Sequence, residues 1–81
     1  MTKEEKLELA QKIYDNLELK NYSLDIYRDD EINADFVYVL NMRGPGGLII
    51  DDNGDYLFCQ SAHGYEYWKE KFKQGIRNNK N

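Results

Sequence analysis

Cys59 and His63 stand four residues apart, a nucleophile and a base within one short stretch. Cys59 closes an apolar run and His63 precedes an amphipathic one. A thiolate at that junction would gain from a helix N-terminus and from a protonated imidazole. Working pairs of this kind meet across a fold and have a third residue to orient the base, and the chain offers none here. The expectation is therefore a small buried hydrophobe at Cys59, a solvent-facing His63 and no enzymatic activity. No Cys/His cluster has metal-ligand spacing, so neither a metal nor a cofactor is expected.

Three other constellations carry weaker chemistry. Arg43-Gly44-Pro45-Gly46-Gly47 is rich enough in glycine to form an anion nest with Arg43 as its fork, which makes Arg43, Gly44, Gly46 and Gly47 a candidate anion site. It lacks the Gly-Lys-Ser/Thr ending of a nucleotide loop. Asp51, Asp52, Asn53 and Asp55 crowd one turn with oxygens that suit calcium, but Gly54 falls one place early for an EF-hand and Ala62 stands where its closing Glu belongs. Lys69, Lys73, Arg77 and Lys80 follow one another at helical spacing, with Lys71 nearby. Beside Tyr65, Tyr67 and Trp68 they would suit phosphates, yet Glu66 and Glu70 interrupt the row and the whole chain is acidic, so nucleic acid is not the expected partner. The converse is a carboxylate surface (Asp25, Asp29, Asp30, Glu31, Asp35, Asp51, Asp52, Asp55) imitating a nucleic-acid backbone, an alternative role as an acidic inhibitor.

The elements that must position these groups are legible from periodicity. Thr2-Lys3-Glu4-Glu5 is a capping box. Leu7, Ala10, Ile13, Tyr14 and Leu17 recur at helical steps after it, so a helix is expected from Lys3 to about Leu17. Tyr22, Leu24 and Ile26 alternate as in a strand with one buried face. Phe36, Tyr38, Leu40 and Met42 share one parity while Val37 and Val39 share the other, which suits an interior strand or a sheet covered on both faces. Leu48 to Cys59 reads as a hairpin around Asn53-Gly54. Its register is open: a two-residue turn sets Ile50 against Leu57, and a longer loop with Gly54 in a bulge sets Ile50 against Tyr56. Ser61 or His63 would cap a second helix with Tyr65, Trp68, Phe72 and Ile76 as its apolar stripe. The polar tail from Asn78 to Asn81 is expected to fray.

These elements give a single α+β domain over residues 1–81, with a small antiparallel sheet of three or four strands in the order α-β-β-β(-β)-α. Each helix carries one apolar stripe, so both are expected on one face of the sheet. The other face would then be bare, with Tyr27, Val37, Val39 and Tyr56 as the candidate partner-binding residues, for a protein partner or a second copy. On that expectation a lysine at Val39 would disturb binding and leave the fold intact.

Composition limits the classes further. The chain has 81 residues and a net charge of −4. Residues 22–60 set two arginines against eight carboxylates and residues 61–81 set five cations against two, so the basic end is expected to pack near the acidic middle. Seven tyrosines, three phenylalanines and one tryptophan must supply a core that a single Cys cannot staple. No apolar run approaches a membrane span, no secretory leader is visible, and the lone Cys fits a reducing compartment, so a cytoplasmic protein is expected.

Overall fold

The first helix forms where its cap is written. In the computed structural model, which describes residues 1–40, 46–60 and 62–79, α1 spans Lys3–Asn16. Glu5 N donates to Thr2 Oγ1 at 3.1 Å and Thr2 N donates to Glu5 Oε1 at 2.9 Å, closing the capping box. A cap of this kind is worth about 1 kcal/mol. The helix ends at Leu17, and Glu18 takes a left-handed φ of 62° so that Leu19 N and Glu18 N can reach back to Tyr14 O and Asp15 O. The buried line along α1 is Lys6, Ala10 and Tyr14, rotated from the expected stripe, and Leu17 is exposed.

Four strands follow: β1 (Leu24–Asp29), β2 (Ala34–Val39), β3 (Gly47–Asp51) and β4 (Tyr56–Cys59). They form one antiparallel sheet in chain order, with short loops joining neighbours. The β3–β4 register pairs Ile50 with Tyr56, which selects the longer loop of the two alternatives. Gly54 takes φ +89° there, and Asp51 Oδ1 accepts from the N–H groups of Asn53 and Asp55. Gly47 is required for a different reason. A Cβ on it would meet the Phe36 ring at 2.4 Å, so the ring lies across its backbone.

The second helix, α2, spans Tyr65–Lys73. It begins after Gly64 with no side-chain cap, His63 does not cap it, and Ser61 lies outside the described residues. It does not join α1. Ala10 and Tyr14 of α1 pack with Val37, Val39, Leu48 and Ile50, while Phe72 of α2 packs with Ala34, Ile49, Leu57 and Cys59. Side chains alternate across a strand, so these two sets occupy opposite faces. The expectation of both helices on one face is therefore corrected: each face has its own helix and its own core cluster. The reason is in the interior strands, where β2 and β3 carry apolar residues of both parities and need cover twice.

The two edges of the sheet differ. Tyr56 N and Phe58 N, which point out of β4, donate to Asn79 Oδ1 and Asn78 Oδ1, and Asn78 N donates to Tyr56 O at 2.7 Å. Asn78 and Asn79 thus stand in for a fifth strand, and the expected fraying does not extend to them; Lys80 and Asn81 lie outside the described residues.

Val37 is fully buried beneath α1 and Val39 nearly so, which overturns the expectation that a lysine at Val39 spares the fold. Val37→Lys is expected to abolish the cooperative urea transition, because it buries an unpaired charge. Tyr27→Lys should move the same transition by no more than about 0.5 kcal/mol. A cooperative Val37→Lys variant would contradict this packing.

Candidate functional site

Cys59 ends β4 with its side chain in the α2-side core, donating to Leu57 O at 3.6 Å. Burial pushes its thiol up to about 12, against a smaller opposing hydrogen bond from the Ile49 backbone. The group is therefore a protonated thiol at neutral pH. His63 does not face it. The imidazole stacks on the Tyr67 ring at 3.9 Å, Tyr67 meets Trp68 edge-on at 4.9 Å, and Lys71 Nζ lies 5.4 Å over Tyr67. The fold does not bring nucleophile and base together.

The glycine-rich turn divides. Arg43 and Gly44 lie outside the described residues. Gly46 O accepts from Tyr14 OH at 2.8 Å, and a Cβ on Gly46 would strike Cys59 O at 2.1 Å. Gly47 is a strand residue paired with Tyr38 and Cys59. These two glycines serve close approach between chain segments.

The acidic turn is turned inward toward the protein's own cations. Asp51 Oδ2 pairs with Arg77 Nε at 3.2 Å. Asp52 Oδ1 lies 2.8 Å from Lys6 Nζ and 3.1 Å from Arg28 Nη1, and those two hydrogen bonds hold its carboxyl down at about 2. Lys6 Nζ also donates to Asp35 Oδ2 at 2.6 Å, a contact buried between α1 and β2. Burial works to lower the Lys6 pKa, but Asp35 and Asp52 outweigh it and the net direction is upward.

The basic row of α2 is likewise engaged. Lys69 Nζ reaches Asp29 Oδ2 at 3.0 Å and Glu31 Oε1 at 3.4 Å, and Lys73 pairs with Glu31. Tyr65 OH donates to Asp29 Oδ2 at 2.7 Å. Tyr65 first and Lys69 second hold the Asp29 carboxyl below its usual range, and Lys73 and Lys69 do the same for Glu31. Arg77 Cζ lies over the Phe72 ring, 3.3 Å from its centroid. The expected neutralisation of the acidic middle by the basic end is this set of ion pairs.

What stays uncovered is half of the α2-side face. The nine residues of α2 lie over β3 and β4 and reach the β1–β2 turn, so Tyr65 touches Phe36 at 4.7 Å. Beyond that point Tyr38 stacks on Phe36 at 5.6 Å and its OH donates to Asp25 Oδ2 at 3.3 Å. Tyr27, opposite Phe36 in register, is 59% exposed, and Leu40 after β2 is 38% exposed. Of the four partner-binding residues expected from sequence, Tyr27 belongs to this surface. Val37 and Val39 are core, and Tyr56 is half-buried against the α1-side core. Tyr38 and Leu40 were missed, although they share the parity of Phe36.

Known proteins add nothing to this geometry. No family model matches the chain, and neither the curated proteins nor the solved structures contain a match. Two surface hollows among the described residues do not add chemistry either: one is lined by Leu7, Glu8, Gln11, Tyr22 and Leu24, and another by Asp15, Glu18, Leu19 and Lys20.

Two outcomes follow from the electrostatics. Iodoacetamide should label Cys59 far more slowly than a free cysteine at neutral pH and catch up only in denaturing urea; rapid labelling of the folded chain would contradict its burial. The depressed carboxyls of Asp52, Asp29 and Glu31 contribute stability that is present above the unfolded carboxylate range, near about 4, and is lost as pH falls through their folded values. The urea midpoint should therefore drop as pH falls from about 4 towards about 2, and by less in high salt. An unchanged midpoint across that window would rule out the ion pairs.

Proposed function

We propose that this chain is a small non-catalytic protein-binding module, and that its contact surface is the uncovered β1–β2 half of the α2-side face. The observation that carries the reading is the bare aromatic ground left by a short α2: Tyr27 and Tyr38 with Leu40, beside the Asp25 carboxylate. Aromatic side chains that are half wet and held rigid supply large contact area at small entropic cost, as protein interfaces use them. Phe36 meets Tyr38 and Tyr65 ring to ring, and Tyr27 stands opposite Phe36 in register.

The other roles draw less support. Lys69, Lys73 and Arg77 are engaged with carboxylates, which weakens the case for a phosphate-binding helix. The same pairs neutralise Asp29, Glu31 and Asp51, with Lys6 and Arg28 answering Asp35 and Asp52, which weakens the case for an acidic imitation of nucleic acid. A protonated, buried Cys59 favours a role without thiol chemistry and fits the reducing environment of the cytoplasm, where we place the module. No described helix is long and apolar enough to cross a membrane.

A photo-crosslinking residue at position 27 tests the reading. In cells it should give discrete protein adducts, whereas the same residue at position 66, on the exposed side of α2, should give few. Tyr38→Ala should reduce the adducts from position 27. Equal labelling from both positions, or none from position 27, would remove the proposal.

A further inference from the structure

The outer strands of a sheet turn every second backbone N–H and C=O away from it. On β4 those groups belong to Tyr56 and Phe58, and Asn79 and Asn78 occupy them. On β1 the hydrogen bond from Leu40 N to Ser23 O sets the phase of the ladder: the odd residues bond to β2, and Leu24, Ile26 and Arg28 face outward. Ile26 N donates to Asp25 Oδ1 at 2.7 Å, one residue back in its own strand. Among the described residues no side chain lies across β1 as the two asparagines lie across β4. One edge of the sheet is plugged by two distant side chains, and the other is engaged only at Ile26 N–H, by its neighbour Asp25, among the described residues.

Both sides of the open edge are shaped for alternating side chains. On the α1 side runs the shallow groove between Leu7, Gln11, Tyr22 and Leu24. On the α2 side stand Tyr27 and Tyr38. The rim carries carboxylates: Glu8 lines the groove, Asp15 accepts from Tyr22 OH at 2.7 Å, and Asp25 lies on β1, with Lys20 and Glu18 beside Asp15 in the next hollow. Among the described residues Arg28 pairs with Asp30, Asp35 and Asp52, and not with Glu8, Asp15 or Asp25.

Resting on the binding-module reading, we infer that β1 is a docking edge that takes an extended segment of a partner protein as a fifth strand, one in which apolar residues alternate with Lys or Arg. Main-chain bonds to Leu24, to Arg28 and to the Ile26 carbonyl supply the grip, Asp25 Oδ1 yields the Ile26 N–H to the incoming strand, and the alternate side chains fall into the groove and onto the tyrosines. Basic residues answer the rim. A second copy of this chain fits less well, because it would bring the same carboxylates against themselves.

The test is amide-resolved NMR of the intact chain with three blocked synthetic peptides: one alternating Lys and Val, its Glu/Val analogue, and the Lys/Val peptide N-methylated at alternate amides. The Lys/Val peptide should shift the amides of Leu24, Ile26 and Arg28. N-methylation should weaken it at least about tenfold, and so should raising salt from about 0.05 to about 0.3 M. The Glu/Val analogue should leave these amides unmoved. Shifts confined to Tyr27 and Tyr38 would overturn strand addition while leaving the binding-module reading in place. Shifts on β1 that grow with protein concentration alone would give the edge to a second copy and overturn the proposal. Shifts at Tyr56 and Phe58 instead, or none at all, would overturn it too, and the adducts from position 27 then decide the binding-module reading separately.

Discussion

Two faces of one sheet must be kept from water by very little helix. The interior strands β2 and β3 place Val37, Leu48 and Ile50 on one side and Ala34 and Ile49 on the other, all fully buried. Each of these valine, leucine and isoleucine side chains is worth about 1.5–3 kcal/mol when covered, so neither face can be left open along those strands. Fourteen residues of α1 and nine of α2 have to do it. Large rings extend their reach: Tyr14 contacts Tyr22 and Phe58 on one face, and Trp68 and Phe72 serve the other. The shortfall appears where the shorter helix ends, at the outer half of β1 and β2. The proposed interface is thus the remainder of a packing problem that the two helices do not close.

Charge fixes where the helices lie. Lys6 and Asp35 are almost completely buried together, and Asp35 Oδ1 has no hydrogen-bond partner among the described residues. A buried pair gains little over apolar packing, but removing one member strands the other at a cost of about 3–5 kcal/mol. The pair therefore ties the first turn of α1 to β2 more firmly than it adds to stability. At the other helix, Lys69 and Tyr65 converge on Asp29 and hold α2 against the β1–β2 turn.

Local structure was legible in the sequence, and the assembly of its pieces only partly so. The Thr2–Glu5 box, the α-β-β-β-β-α order and the Asn53-Gly54 hairpin all have short-range signatures. The helix stripes did not disclose which sheet face each helix takes, because periodicity tells a helix which side is apolar and nothing about its destination. The consecutive run Leu48-Ile49-Ile50 did carry that information, since three apolar neighbours in a strand need cover on both faces. Lys6 reads as solvated on the helix, and only the carboxylates of Asp35 and Asp52, distant in sequence, explain its burial. The exposed tyrosines were half found for the same reason: Tyr27 stands alone in parity, while Tyr38 was hidden in a strand that reads as core.

The two asparagines across β4 make that side of the molecule sensitive to slow hydrolysis of side-chain amides. Asn79 uses both ends of its amide, its oxygen receiving Tyr56 N–H and its nitrogen donating to Asp55 Oδ1 at 3.0 Å. Deamidation to aspartate would preserve the first contact and turn the second into a meeting of two carboxylates. The plug would then be loosened at Tyr56 N–H while Asn78 still holds Phe58 N–H, and ageing material would offer part of the β4 edge for edge-to-edge pairing between molecules.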